Sequence, residues 1–214
     1  MAARRPILTL TGLVLALIVP SIGPTRYLPR VAGFDPMYVR EWFWWALLAL
    51  VLLYVLAIEK RPLTSIGFRR PTWRTVVFGI IAAIVATAGI SVIYLVVFPK
   101  LGLHMNVSEA NKLLQTPFWY RFFLVTRAAV MEETLFRGYG IERLAELTGS
   151  RWFAGGITWA AFTLAHLSSW GWAQLTVAGW GGVILTSLYL WRRDLICNMT
   201  AHWVTDASAF LLPH

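Results

Sequence analysis

Charged residues are scarce in this sequence. They make up 14% of its 214 residues, against roughly 25% in an ordinary soluble domain. In their place 58% of the residues are hydrophobic, 12 are tryptophans, and the mean hydropathy is +0.63. No hydrophilic stretch is long enough to form a second domain, so we predict a single membrane domain over residues 1–214.

Cysteine and acidic side chains are also few. Cys197 is the only cysteine, which excludes an internal disulfide and leaves it as a small packing residue in an apolar run. Ten acidic residues against 19 basic ones give a net charge of +9. The basic residues are spread over several loops and form no block. We therefore expect no nucleic-acid partner, and expect instead the anionic surface of a lipid bilayer.

Long apolar runs follow one another along the chain, with no strand-like alternation and no internal repeat. A membrane helix needs about 20 mostly apolar residues, so the runs predict an all-α, polytopic bundle of about seven transmembrane helices, with six to eight as the range. Three segments fall in residues 1–100 and four in 118–212. The predicted segments are 7–22, 42–58, 76–98, a fourth from 118 through an acidic motif, 152–167, 172–190 and 195–212.

Lys and Arg are distributed unevenly between the two sides that seven crossings define. More of them, Arg143 and Arg151 included, fall on the side of the N-terminus. Because cytoplasmic loops carry the excess of basic residues, we predict a cytoplasmic N-terminus, and the composition suggests a bacterial cytoplasmic membrane. The first run has no clear cleavage site and is interpreted as a retained helix. Residues 101–115 are interpreted as an interfacial helix.

Within the apolar segments, the side chains of Asp, Glu, Arg, His and Asn are confined to the C-terminal half. A charge in hydrocarbon costs at least a few kcal/mol, so it normally has a partner or a function. Three segments that each carry such groups are expected to face one another around a site. The polar residues of these segments are Arg127, Glu132, Glu133, Arg137, His166, Asn198, His202 and Asp206.

The spacing of these residues separates two adjacent acids. Glu133 and Arg137 are four residues apart and share a helix face, which predicts an ion pair. Glu132 points about 100° away round the helix and is left free for chemistry. His202 and Asp206 are again four residues apart, so Asp206 can orient the imidazole or accept its proton.

A helical hairpin brings two of the candidates to the same height. Glu132 and His166 are equally distant in sequence from a turn predicted at 148–150. If the fourth segment continues as a helix to that turn, the antiparallel pair places both side chains at one level. Gly138 and Gly140 are the positions where this helix is expected to kink or break.

These groups fit the hydrolysis of a peptide bond. A carboxylate beside an imidazole can hold a water molecule and take its proton as the water attacks a carbonyl carbon, and a second histidine can stabilise the oxyanion. Alternatively, Glu132, His166 and His202 can hold a divalent metal such as zinc, and both options stay open. The His-Glu-x-x-His and Gly-x-Ser-x-Gly motifs are absent. Ser168 and Ser169, beside His166, keep serine chemistry as a less favoured alternative.

Three short motifs resemble those of the CAAX-protease and bacteriocin-processing (CPBP, Abi) family of intramembrane proteases. The first is Glu-Glu-x-x-x-Arg, the second Phe-x-x-x-His and the third His-x-x-x-Asn or Asp. Residues 65–70, Ser-Ile-Gly-Phe-Arg-Arg, are also similar to the family. The matching positions are Glu132, Glu133 and Arg137, then Phe162 and His166, then His202 and Asp206.

The resemblance implies an intramembrane endopeptidase that acts on a membrane-associated peptide or protein. It implies that Glu132 and His166 activate water and that His202 and the residue at 206 hold the oxyanion. The aspartate here departs from the amide variant of the motif, because a carboxylate cannot donate a hydrogen bond unless it is protonated. The supporting residues are expected to be Glu133, Arg137, Phe162 and Asn198.

Two other functions remain as alternatives. The first is a non-proteolytic membrane scaffold or immunity-type protein on the same fold, which also needs no soluble domain. The second is a transporter or proton relay that uses the same buried acids, and the lack of repeat symmetry argues against it.

Overall fold

The computed structural model describes residues 4–28, 33–104 and 107–212, and within these ranges the chain is helical, with no β-strand. The predicted all-α class is confirmed. Short helical turns at Pro24–Tyr27, Leu63–Ile66 and Leu167–Trp170 connect the longer helices. Those helices are α1 (4–21), α2 (Pro36–Ile58), α3 (Trp73–Leu101), α4 (Val107–Leu114), α5 (118–148), α6 (Arg151–Ala165), α7 (Gln174–Arg192) and α8 (Leu195–Phe210).

Two of these helices are long and apolar enough to cross a membrane, namely α2 and α3, while Pro6–Ser21 is apolar but shorter. Only 17% of the most apolar window of α3 is buried, so most of its side chains face outward, as Ile84 and Leu95 do. Such a surface suits a lipid environment. The predicted number of about seven crossings is not confirmed, because α6 and α8, with 15 and 16 residues, are shorter than the roughly 20 residues a crossing needs.

The hairpin between α5 and α6 lies where the sequence predicts it. α5 ends at Thr148, Gly149 takes the left-handed conformation with a φ of +72°, and the hydroxyl of Ser150 accepts a hydrogen bond from the Phe153 backbone N–H at the start of α6. A glycine after the last helical residue and a serine cap before the next are the expected signals of such a turn.

The centre of the molecule is a π-helical segment of α5, Glu133–Ile141, in which all nine residues are buried. It packs against α1, α2, α6 and α8. Gly138 and Gly140 do not break the helix. They allow close approach instead, since a Cβ atom at 138 would lie 2.6 Å from the backbone oxygen of Ile66, and one at 140 would lie 2.9 Å from Thr158.

The start of α8 is fixed by a buried hydrogen-bonded cap. The carboxylate of Asp194 accepts from the Cys197 backbone N–H and from the Thr75 hydroxyl at 2.8 Å. The Leu195 N–H donates to the Gly67 carbonyl at 2.9 Å. The 65–70 turn thus sets the height of the helix that carries Asn198, His202 and Asp206.

Arg143 was expected among the basic residues exposed on the cytoplasmic side, but its environment is different. Arg143 is fully buried, and its guanidinium donates to the carboxylate of Glu59 at 2.6 Å and to the Ser65 hydroxyl at 3.0 Å. It holds α5 against the end of α2, and its sequence position next to a turn does not show this. A helix, α4, does lie within 101–115, where residues 105 and 106 are outside the described ranges. Its interfacial position stays a prediction.

Candidate active site

Glu133 is the hub of the polar cluster and is fully buried. Its Oε1 atom accepts a hydrogen bond from Arg137 Nη1 at 2.9 Å and lies 2.8 Å from His202 Nδ1. Its Oε2 atom accepts from Asn198 Nδ2 at 3.0 Å. The ion pair that the spacing predicts is present, and the same carboxylate also ties α5 to α8.

The partners of Glu133 extend the cluster to α7. The amide of Asn198 also donates to the Leu185 carbonyl at 2.7 Å, and Arg137 Nη2 donates to the Gly182 carbonyl at 3.4 Å. Each donor therefore bridges a buried acid and a backbone oxygen. Interhelical hydrogen bonds of this kind hold polar side chains in an apolar bundle.

His202 lies among three carboxylates and is 7% exposed. Its Nδ1 faces Glu133, whereas its Nε2 is 3.4 Å from Asp206 Oδ2 and 4.0 Å from Glu132 Oε2. A carboxylate only accepts, so a proton on Nδ1 completes the bond to Glu133. The sequence assigned the orientation of this ring to Asp206, but Glu133 is the closer partner.

His166 follows the last residue of α6, and its tautomer is set by the backbone. Its Nδ1 lies 2.8 Å from the Phe162 carbonyl oxygen. A carbonyl oxygen cannot donate, so Nδ1 carries the proton and Nε2 keeps its lone pair in the neutral ring. His166 therefore offers a hydrogen-bond acceptor at Nε2.

The ring of Phe162 lies between the two histidines. Its centroid is 4.7 Å from that of His166 and 6.4 Å from that of His202. The guanidinium of Arg137 stacks over the same ring at 4.0 Å, in cation–π geometry. Phe162 thus forms an apolar wall that also contacts the buried ion pair.

Glu132 is the acid that remains outside the ion pair, and its side chain is 17% exposed. In the part of the chain that the structure describes, Glu132 and His166 form no hydrogen bond or ion pair with each other. The hairpin prediction assumed α-helical winding up to the turn, whereas Glu133–Ile141 is π-helical. A π-helix bonds residue i to i+5 and takes more residues per turn, which shifts the register between Glu132 and the turn.

A further buried ion pair, between α2 and α5, was not predicted from the sequence. Arg127 forms a two-point pair with Glu41, at 2.9 Å from Nε to Oε2 and 3.2 Å from Nη2 to Oε1. The second apolar segment was predicted to begin at Trp42, one residue later, so Glu41 lay outside it. The signal that could have found it is Arg127 itself, a cation in an apolar segment that requires a partner.

The metal option gains no geometric support. Among the described residues, no group of three or more His, Cys, Asp or Glu side chains is arranged to hold a metal ion. Of the three candidate ligands, Glu132 and His202 face each other at 4.0 Å. His166 Nδ1 is engaged by a backbone carbonyl.

An apolar groove of about 250 Å³ runs between α5 and α8. The Trp203 indole N–H donates to the Thr126 hydroxyl at 3.0 Å and closes the space between these helices. The groove is lined by Ala129, Val130, Ile196, Met199, Thr200 and Trp203.

The C-terminal part of the chain is similar to a known protein family. Residues 114–208 match the Rce1-like family, described as type II CAAX prenyl endopeptidase Rce1-like. The match agrees with the resemblance predicted from the three motifs and covers all their residues, from α5 to α8. Comparison of the chain with curated proteins and with solved structures gave no match.

Proposed function

We propose that this protein is an intramembrane endopeptidase that hydrolyses a peptide bond in a membrane-associated peptide or protein. The observation that carries the proposal is the position of Glu132. It is partly exposed, it lies outside the Glu133–Arg137 pair, and it is 4.0 Å from Nε2 of His202. The Rce1-like match supports a membrane protease in general terms.

In the proposed mechanism Glu132 and His166 bind the attacking water. Nε2 of His166 accepts one hydrogen bond from the water, and Glu132 removes a proton as the oxygen attacks the carbonyl carbon. The carbonyl electrons move to oxygen and form a tetrahedral oxyanion. The proton held by Glu132 passes to the leaving nitrogen as the C–N bond breaks, which gives an acid and an amine.

His202 is proposed to stabilise the oxyanion. When both ring nitrogens carry protons, Nδ1 donates to Glu133, and Nε2 is proposed to donate to the negatively charged oxygen in place of Asp206. Asp206, at 3.4 Å from Nε2, is proposed to orient the ring between turnovers. Glu133, Arg137, Asn198 and Phe162 are proposed to position these groups.

The groove between α5 and α8 is proposed to receive the apolar part of the substrate. Its walls come from α5 and α8, the two helices that also carry Glu132 and His202. A substrate held in the bilayer can then present its peptide bond to Glu132 without leaving the apolar phase. The catalytic part is proposed to be 118–212, within a single membrane domain.

The test compares two glutamate variants in cleavage of a membrane-anchored reporter peptide by the purified protein in lipid. Glu132→Gln should reduce the cleavage rate by at least about a hundredfold, because a positioned general base contributes roughly that much. Glu146→Gln, at a 42% exposed side chain on the same helix, should retain the rate. Full activity of Glu132→Gln would refute the proposal, and full biological activity of that variant would favour the scaffold or immunity alternative.

A further inference from the structure

The arginines near the α2–α3 turn and the α7–α8 turn fall into two groups. One group is paired with glutamates: Arg61 with Glu146, and Arg193 with Glu142. Hydrogen bonding to these carboxylates raises the pKa of both guanidinium groups. Their charge is thus balanced locally.

The other group has no carboxylate within 4.0 Å in the described part of the chain. Two members lie in the turn before α3, one lies in the first turn of α3, and one is the last residue of α7. They are Arg69, Arg70, Arg74 and Arg192. Positive charge is therefore concentrated where α3 and α7 meet the turns.

Aromatic rings surround the two helical arginines of this group. Arg192 stacks over Phe78 at 4.6 Å and over Trp191 at 5.3 Å, and Arg74 stacks over Trp73 at 5.4 Å. The Phe78 and Trp191 rings meet edge-on at 5.0 Å, which joins α3 to α7. Trp73 and Trp191 are 70% and 65% exposed. We name these five residues the arginine–tryptophan patch.

The patch lies at the edge of the outward-facing apolar surface of α3. The exposed Val76, Val77 and Ile80 follow Trp73 and Arg74 along α3. Exposed tryptophans at the end of an apolar surface mark the depth of the lipid headgroups. Guanidinium groups match phosphate oxygens through two parallel hydrogen bonds, and they attract anionic lipid.

We propose that the arginine–tryptophan patch binds the headgroup phosphate of an anionic phospholipid. Arg74 and Arg192 contact the phosphate, while Trp73 and Trp191 flank the glycerol region. Charge complementarity selects an anionic lipid over a zwitterionic one, because no carboxylate of the described residues neutralises these two arginines. The proposal requires insertion in a bilayer, but it does not depend on peptidase activity.

The experiment is native mass spectrometry of the protein released from nanodiscs that contain phosphatidylcholine and phosphatidylglycerol. The unmodified protein should retain phosphatidylglycerol. The double variant Arg74→Gln/Arg192→Gln should retain it roughly tenfold less, as expected for loss of two arginine contacts. The matched control Arg61→Gln/Arg193→Gln removes the same charge from paired positions and should retain the lipid. An excess of inorganic phosphate should not displace it.

Three results would overturn the proposal. The first is that the patch variant retains as much lipid as the unmodified protein. The second is that the control variant loses as much lipid as the patch variant, which would indicate attraction by net charge alone. The third is displacement of the lipid by inorganic phosphate. Thermal unfolding of each variant in detergent shows that the fold is intact. Glu132→Gln leaves the patch unchanged, so this variant should retain the lipid whether or not it loses peptidase activity. The two proposals can therefore fail separately.

Discussion

At the scale of single residues, two adjacent glutamates have different environments and therefore different expected roles. Glu133 is fully buried and binds Arg137, Asn198 and His202. Glu132 is partly exposed, and its Oε2 atom lies 4.0 Å from His202 Nε2. The first acid suits structure and orientation, and the second suits chemistry.

This difference predicts that the same substitution changes stability by very different amounts at the two positions. In Glu133→Gln the amide can turn its oxygen toward Arg137 and His202, but its NH2 group then faces the NH2 group of Asn198. Arg137 also loses its counter-charge. We expect a loss of about 3–5 kcal/mol in the free energy of unfolding, as for other broken buried pairs. Glu132→Gln is expected to change it by less than about 1 kcal/mol. Unfolding in detergent measures both, and similar values would contradict the division of roles.

The sequence predicted most of these residues because polarity in an apolar segment is a strong signal. Glu132, Glu133, Arg137, Asn198 and His202 do cluster. Their catalytic roles remain predictions. Helical spacing also correctly predicted the ion pair.

What the sequence did not show depends on neighbours that only folding brings together. Glu41 lies just outside an apolar run, and its partner is 86 residues away. Arg143 resembles a loop residue until Glu59 is placed beside it. The π-helical winding of Glu133–Ile141 follows from tertiary packing, which residue spacing does not encode.

At the scale of elements, the fold depends on how closely the π-helical segment of α5 approaches its neighbours. Gly138→Ala would place a Cβ atom 2.6 Å from the Ile66 backbone oxygen, an atom that cannot move without shifting the 65–70 turn. We expect a loss of roughly 1–3 kcal/mol in the free energy of unfolding, as for overpacked cores.

Gly156 is the matched control, because a Cβ atom there meets nothing within 4 Å. Gly156→Ala should leave stability unchanged or raise it by up to about 1 kcal/mol, since alanine favours the helix. A Gly138→Ala protein as stable as the Gly156→Ala protein would show that the 65–70 turn can shift at little cost in free energy.

The Glu41–Arg127 pair is the corresponding contact between α2 and α5. Glu41→Ala leaves a buried guanidinium without its partner, which should cost about 3–5 kcal/mol. The double variant Glu41→Leu/Arg127→Met removes both charges and should recover most of that loss, because paired buried ions are often replaceable by apolar side chains. Thermal unfolding of the single and double variants measures the coupling. If the double variant is no more stable than Glu41→Ala, the pair contributes to stability by more than charge neutralisation.

At the scale of the whole molecule, many apolar side chains face outward, whereas several charged side chains are buried. Leu95 in α3 is 77% exposed, whereas Arg137 and Arg143 are fully buried. This distribution is the reverse of that in a soluble domain, and it agrees with α2 and α3 as membrane-crossing helices. The short helices α6 and α8 leave the remaining crossings as a prediction.

The seven-crossing arrangement predicts which turns are accessible from each side of the membrane. In a Cys197→Ser background, single cysteines at the exposed Lys60 and Arg151 should react with an impermeant maleimide only after cells are permeabilised. Cysteines at Lys100 and Leu212 should react in intact cells. This pattern requires α3, α5 and an odd number of crossings after Arg151, because each pair of neighbouring probes changes side. Protection of Leu212 together with Arg151 would mean that one of α6, α7 and α8 enters the bilayer and returns to the same side instead of crossing it.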